Sequence, residues 1–293
     1  MDRILILGAK GALGGQLRAL YPAAVAWDRE EADVTDFQRL QQKVLELDPP
    51  PEAIVNCVAF NDVDGAEEKR DAAVALNAIA PLNLAGLARE LDVPIVHYST
   101  NYVFDGEAGE YAEDAAPAPL SFYGKTKARG EASVAAANPK HYIIRTAVIF
   151  GPKGESELSK RSFVEIMLDL SARASSIKAV ADEVNSITYS PDLAKATRAL
   201  LEGSKPFGIY HVTNSGSASW FEFAAEIFRM AGRNVNLEPA ASAQFPRKAR
   251  RPAKAVLLNT KLSPLRPWQE ALAEYLRECG YGFLSAGRSA NVL

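Results

Sequence analysis

Ile4-Leu5-Ile6-Leu7-Gly8-Ala9-Lys10-Gly11-Ala12-Leu13-Gly14 stands almost at the start of the chain and decides how the rest is read. A short apolar run that stops at glycine is how a strand buried on both faces reads. The glycines then fall as G-x-x-G-x-x-G, and residues 15–21 read as a helix. Gly8, Gly11 and Gly14 allow a tight turn and a close backbone approach to a diphosphate. The helix N-terminus offers free N–H groups to that anion. A glycine-rich turn alone says little, but one between a first strand and a first helix is the dinucleotide fingerprint. Lys10 reads equally as a solvated side chain or as a phosphate contact.

Working outward, residues 24–27 are predicted as a second strand ending at Asp28-Arg29. A carboxylate there accepts from ribose hydroxyls, whereas an arginine meets a 2′-phosphate, so NADH and NADPH both stay open. Asp33 is a candidate acceptor for an adenine amino group. Thr35 or Asp36 reads as the cap of an amphipathic helix over 37–47. After Pro49-Pro50-Pro51, residues 53–59 form an apolar strand interrupted only by Asn56, and 61–67 is a polar loop at its carboxyl end. Residues 71–91 read as one long helix kinked at Pro81, with Asn77 as a packing contact. Further buried strands are predicted at 93–99 and 142–149. The alternation predicts an α/β fold, a Rossmann-type doubly wound parallel sheet.

The strand at 93–99 delivers Thr100, followed by Asn101. A long polar loop leads to Ser121, which caps a helix carrying Tyr123-Gly124-Lys125-Thr126-Lys127. Tyr123 and Lys127 are i and i+4, so they share one helix face. A phenol of pKa near ~10 is a poor proton donor or acceptor at neutral pH unless its anion is stabilised. A neighbouring ammonium does that. Thr100 adds a hydrogen bond to the phenol or to a substrate oxygen. The set suits proton transfer to a carbonyl oxygen while a hydride arrives from a cofactor.

Beyond Gly151-Pro152 the alternation loosens. A polar loop is predicted at 153–161, helices at 163–174, 191–201, 220–231 and 268–277, a strand at 207–213 able to join the main sheet, and a loose tail at 285–293. Residues 1–150 are read as the dinucleotide-binding domain, completed by elements near 190–213. Residues 151–293 are read as a smaller, interleaved C-terminal substrate lobe of helices and loops without a second sheet, the cleft lying between the two. The run Arg247, Lys248, Arg250, Arg251, Lys254 is either a solvated surface or a holder of a substrate diphosphate.

The 293 residues carry a net charge of −3, which argues against a nucleic-acid partner. No apolar run is read as a membrane span, and the N-terminus lacks a signal-peptide pattern, so a cytoplasmic location is the default expectation. Cys57 and Cys279 are not expected to pair. His97, His141 and His211 show no metal-ligand spacing, and no metal site is expected.

These segments together resemble the extended short-chain dehydrogenase/reductases and, within them, the dTDP-4-dehydrorhamnose reductase family. The likeness runs from Ile4 to about Leu276. It rests on Gly8 to Gly14, Val55-Asn56-Cys57-Val58-Ala59, Val63-Asp64-Gly65-Ala66-Glu67, Ser99 to Gly106, Tyr123 to Lys127 and Ile144-Arg145-Thr146. Two later segments add to it: Gly208-Ile209-Tyr210-His211-Val212, and Arg251-Pro252 with Leu258-Asn259-Thr260-Lys261-Leu262. The resemblance implies an NAD(P)H-dependent reduction of the C4 ketone of a nucleotide-linked 4-keto-6-deoxy sugar, dTDP-4-dehydro-L-rhamnose first among them. Tyr123 would donate the proton, Lys127 would bind the nicotinamide ribose and lower the tyrosine pKa, and Thr100 would assist. Gly11, Ala12 and Leu13 would face the diphosphate, and Asp28, Asp33 and Val34 the adenosine end. Cys57, Val58, Ala59 and Tyr98 would line the path to the nicotinamide. The substrate would meet Thr100, Asn101, Val148 and Arg251.

The chain departs from the family pattern at Asn101, usually aspartate, and at Val148, commonly tryptophan. Asp182-Glu183-Val184-Asn185-Ser186-Ile187-Thr188 stands where the family has Asp-Gln-x-Gly-x-Pro-Thr. All three lie on the substrate side. They leave open a different nucleotide sugar, or a regulatory NADP-binding subunit resembling the methionine adenosyltransferase β subunit. A homodimer is likewise open.

Overall fold

The structure is a computed structural model that describes residues 1–157, 159–203 and 205–281. The tail predicted at 285–293 lies outside the described residues, as does Leu158 of the predicted loop. In chain order the first half runs β1 (Leu5–Leu7), α1 (Ala12–Leu20), β2 (Val25–Trp27), α2 (Phe37–Leu45), β3 (Ile54–Asn56), α3 (Gly65–Glu68), α4 (Arg70–Val74), α5 (Ala80–Glu90), β4 (Ile95–Thr100), β5 (Gly109–Tyr111), α6 (Phe122–Ala137), β6 (His141–Thr146) and β7 (Ile149–Phe150). The second half adds α7 (Phe163–Ser171), β8 (Ser176–Val180), β9 (Val184–Ser186), β10 (Thr188–Tyr189), α8 (Ser190–Glu202), β11 (Gly208–His211), β12 (Asn214–Ser215), β13 (Ser217–Ser219), α9 (Trp220–Met230), β14 (Asn236–Ala240), β15 (Lys254–Leu257), β16 (Leu265–Pro267) and α10 (Trp268–Glu278).

The continuous apolar runs become strands buried on both faces: every residue of β1, β3 and β4 is buried. Six strands form one parallel sheet in the order β2-β1-β3-β4-β6-β11. The order reverses between β1 and β3. In such sheets the ligand crevice opens at that switch, outside the carboxyl ends of the strands. The predicted strand at 207–213 thus joins the main sheet as β11, beside β6.

The predicted long helix is interrupted by a wide π turn at Ala75–Ile79, with Pro81 in the first turn of α5. Proline lacks the N–H and clashes with the carbonyl four residues back, and the wider turn absorbs both. The segment Arg70–Glu90 is, by length and composition alone, long and apolar enough to cross a membrane, as a core helix also can be, and half of that window is buried in the fold.

The second half does contain a sheet. Four strands run in the order β13-β9-β15-β5. Its strands have three or four residues and carry buried Asn185, Ser186 and Ser219, so neither alternation nor an apolar run marks them. β5, from the predicted long loop, pairs with β15, while β11 crosses back to the first sheet. The two halves are therefore interleaved in both directions. A separate core of Phe150, Val164, Tyr189, Phe223, Ile227, Trp268 and Leu272 supports the second lobe.

Candidate active site

The glycine-rich turn forms as its sequence requires. Gly8 takes a positive φ of 78°, a conformation open to glycine at little cost. A Cβ on Gly14 would lie 2.1 Å from the Gly8 carbonyl oxygen, so α1 packs directly on the turn. Gly11 begins α1 with no side-chain cap, leaving the first amides of Ala12 and Leu13 free of a capping side chain.

Asp28 holds this turn. Its carboxylate accepts from the Lys10 amide at 2.8 Å and from the Arg29 amide at 2.8 Å. The Lys10 side chain meets Glu30 at 2.8 Å, with Glu31 at 3.8 Å. Arg29 meets Asp33 at 3.4 Å, and Asp33 accepts from the Thr35 amide and hydroxyl at 2.9 and 2.6 Å. Asp36 caps α2 through the Arg39 amide. Arg29, Asp33, Arg39 and Lys43 line a cavity of about 60 Å³ beyond β2. Val34 is buried in the core beneath it.

Cys57, Val58 and Ala59 leave the end of β3 against the turn; a Cβ on Gly8 would meet the Cys57 carbonyl carbon at 3.1 Å. Burial pushes the Cys57 thiol far up. Two asparagines fasten this loop. Asn56 accepts from the Val58 amide at 3.0 Å. Asn77, which sequence reasoning gave only a packing role, accepts from the Phe60 amide at 2.9 Å. It donates to the Phe60 carbonyl and to Thr126, each at 3.0 Å. The π turn thereby ties the β3 loop to α6.

Helix α6 begins at Ser121, whose hydroxyl accepts from the Gly124 amide at 3.1 Å, and Glu67 accepts from the Phe122 amide at 2.8 Å. Gly124 and Gly130 have no room for a Cβ: one would come within 2.2 Å of the Tyr102 carbonyl oxygen, the other within 2.1 Å of that of Asn77. At its far end, Glu131 takes two hydrogen bonds from the Arg145 guanidinium at 3.0 and 2.7 Å, both residues buried. The helix is thus fixed on three sides, and Tyr123 with it.

Thr100, Tyr123 and Lys127 come together at the carboxyl end of β4. Thr100 accepts from the Tyr102 amide at 3.1 Å, and its hydroxyl lies beside the Tyr123 phenol, where it favours the phenolate. The Tyr123 ring also sits edge-on to Tyr102, centroids 6.2 Å apart. Lys127 is buried and donates to the Tyr98 carbonyl at 2.6 Å. The Tyr98 side chain is in the core, with its hydroxyl on Thr197 at 2.7 Å, so this residue serves the site through its backbone.

Burial pushes the Tyr123 phenol up to about 12, with the Thr100 hydrogen bond opposing it. Burial draws the Lys127 ammonium down to about 8, with Glu131 opposing. The lysine does not lower the phenol below its ordinary value, because desolvation of the phenolate outweighs the groups that favour it.

On the other wall, much of the basic run is held in ion pairs, while Arg250 stays exposed. Arg251 binds Asp64 through two nitrogens at 2.7 and 3.2 Å, Arg247 pairs with the buried Glu183, and Lys248 pairs with Glu68. The Arg251 guanidinium holds the Asp64 carboxyl down at about 2. These contacts clasp the second lobe to the loop after β3. The expected substrate contact Asn101 is buried, and its amide is engaged by the second sheet. Val148 takes a positive φ of 37°, a rare state for a β-branched residue, and packs on the second core. The loop after β7 reaches the glycine-rich turn: the Ser156 amide donates to the Lys10 carbonyl at 3.0 Å, and Glu155 pairs with Arg18. Among the described residues, no three His, Cys, Asp or Glu side chains gather as a metal site.

The family model described as RmlD substrate binding domain matches residues 1–280. A probable dTDP-4,6-dihydroxy-2-methyloxan-3-one 4-ketoreductase of Streptomyces antibioticus is 40% identical over 93% of this chain and 94% of its own length. A dTDP-4-dehydrorhamnose reductase of Mycolicibacterium smegmatis is 35% identical over 93% of this chain and 84% of its own. Among solved structures, a dTDP-4-dehydrorhamnose reductase from Bacillus anthracis, in complex with NADP, superposes with a TM-score of 0.88 at 34% identity, covering 94% of this chain and 99% of that one.

Proposed function

The chain belongs to the RmlD substrate binding domain family, and from that premise we propose that it is an NADPH-dependent reductase of the C4 ketone of a dTDP-linked 4-keto-6-deoxy sugar, with dTDP-4-dehydro-L-rhamnose as the first candidate. The relatives named dTDP-4-dehydrorhamnose reductase, one of them solved with NADP, support this reading. The observation that carries it is the meeting of Thr100, Tyr123 and Lys127 at the strand ends that also present the glycine-rich turn. That geometry suits an oxidoreductase better than a purely regulatory subunit.

The residues present fit the cofactor. The Gly8–Gly14 turn leaves no side chain between backbone and ligand, and the uncapped start of α1 offers its amides to a diphosphate. Gly11, Ala12 and Leu13 would hold that diphosphate. Arg29, Asp33, Arg39 and Lys43 would face the adenosine end, and Cys57, Val58 and Ala59 the approach to the nicotinamide. Bound there, NADPH supplies the hydride.

The chain's own groups handle the proton. At neutral pH a phenol at about 12 is protonated, the state a reduction needs. Tyr123 donates its proton to the sugar oxygen as negative charge develops there. Thr100, beside the phenol, steadies the phenolate left behind. Lys127, held by the Tyr98 carbonyl, keeps a positive charge below the pair. A general acid so placed contributes about 10²–10⁴ in rate.

One observation favours a second sugar: the relative at 40% identity is named for a different dTDP-linked ketone. The test is NADPH oxidation with each of the two dTDP-4-keto sugars. Turnover of either upholds the reductase reading, and the larger kcat/KM assigns the substrate. No oxidation with either one contradicts it.

A further inference from the structure

We infer that Asn101 and Asn185 are positioning residues for this reduction, an amide pair through which the second sheet sets the orientation of the Thr100 hydroxyl against Tyr123. The inference deepens the reductase reading and rests on it.

Both side chains are almost wholly buried, at 2% and 3% exposure. Asn101 Nδ2 donates to Asn185 Oδ1 at 2.8 Å and to the Ala255 carbonyl at 3.1 Å. An amide nitrogen has two hydrogens, and both are used. The amide therefore cannot turn over without facing its oxygen to two acceptors. Asn101 Oδ1 is left pointing at Thr100, whose Oγ1 donates to it at 3.4 Å. Thr100 Oγ1 also accepts from the Tyr102 amide at 3.1 Å and lies beside the Tyr123 phenol. A chain Asn185–Asn101–Thr100–Tyr123 thus runs from β9, past the end of β4, to α6. Asn185 stands between Ala218 and Ala255 in the sheet, and these small neighbours leave space for its side chain.

The arrangement gives the single Thr100 proton two places. While the phenol keeps its proton for the sugar oxygen, the Thr100 proton rests on Asn101 Oδ1. Once the phenol has given its proton to the sugar oxygen, the Thr100 O–H turns to the phenolate. It leaves an acceptor that was already distant at 3.4 Å. A carboxylate at position 101 would hold that proton harder, because charged acceptors bind more strongly. It would also face the Ala255 carbonyl, acceptor to acceptor.

The test is steady-state NADPH oxidation with dTDP-4-dehydro-L-rhamnose for Asn185→Leu, Asn185→Asp, and Asn185→Leu combined with Thr100→Ala. Asn185→Leu removes the acceptor and is expected to lower kcat about 10-fold, with KM for the sugar little changed, the worth of one hydrogen bond felt in the transition state. Asn185→Asp keeps an acceptor and recovers most of that loss. In the Thr100→Ala background, Asn185→Leu costs nothing further. Equal losses in the Asp and Leu variants, or additive losses with Thr100→Ala, overturn the inference. Should the wild-type enzyme oxidise no NADPH with either dTDP-4-keto sugar, the reductase reading fails instead. The pair is then read in a crystal structure of Asn185→Leu: Thr100 Oγ1 rotated off Asn101 upholds the linkage, and an unmoved Thr100 refutes it.

Discussion

The glycine-rich edge of the six-stranded sheet and the four-stranded sheet across the cleft place functional groups by opposite means. On the first, side chains are absent where the ligand belongs: Gly8 and Gly14 bring backbone against backbone. On the second, buried side chains do the placing: Asn101, Asn185 and Ser186 hydrogen-bond between β4, β9 and β15. A site built from backbone tolerates no added atom. One built from side chains tolerates exchange as long as donors and acceptors still match.

The largest break in that comparison is expected inside the first half. Glu131→Ala leaves the buried Arg145 guanidinium without its carboxylate and should cost about 3–5 kcal/mol in a denaturant titration. Gly14→Ala forces a Cβ into the Gly8 carbonyl and should cost about 1–3 kcal/mol while weakening NADPH binding, read by thermal unfolding and by cofactor titration. At the cleft rim the same kind of ion pair should matter less. Asp64→Asn loosens the clasp to the partly exposed Arg251 and should cost about 1 kcal/mol, with a raised KM for the sugar. Lys10→Ala is expected to change NADPH affinity by less than about 3-fold, because that lysine is already turned to exposed Glu30.

A pH series sharpens the site itself. Lys127 ionises near 8, well below its ordinary 10.5, while Tyr123 stays protonated up to about 12. Activity should hold below pH 8 and fall as pH rises through it, as the lysine loses its charge. Over the same window the unfolded chain binds the Lys127 proton that the folded one has released, so this group makes the fold more stable as pH rises. Loss of activity without loss of thermal stability is therefore the expected pattern, and parallel loss of both would point to unfolding.

The legibility of the sequence follows the same division. The parallel sheet showed itself because strands buried on both faces are continuous apolar runs, and Tyr123 with Lys127 because a helix brings i and i+4 together. The second sheet stayed hidden because β9 and β13 are three residues long and polar. The bond from Asn101 to the second sheet was not legible because its partner, Asn185, is 84 residues away. Nor was the clasp of Arg251 on Asp64, which is 187 residues away. Asn77 bridges Phe60 and Thr126 from a π turn that only Pro81 hints at. Local spacing carries no record of such long-range matches.

The central claim is that Tyr123 gives the proton, and one substitution bears on it most directly. Tyr123→Phe should bind NADPH as the wild type does and lose at least about 10²-fold in kcat with the dTDP-4-keto sugar. A phenylalanine variant that turns over within a few-fold of the wild type would contradict the account.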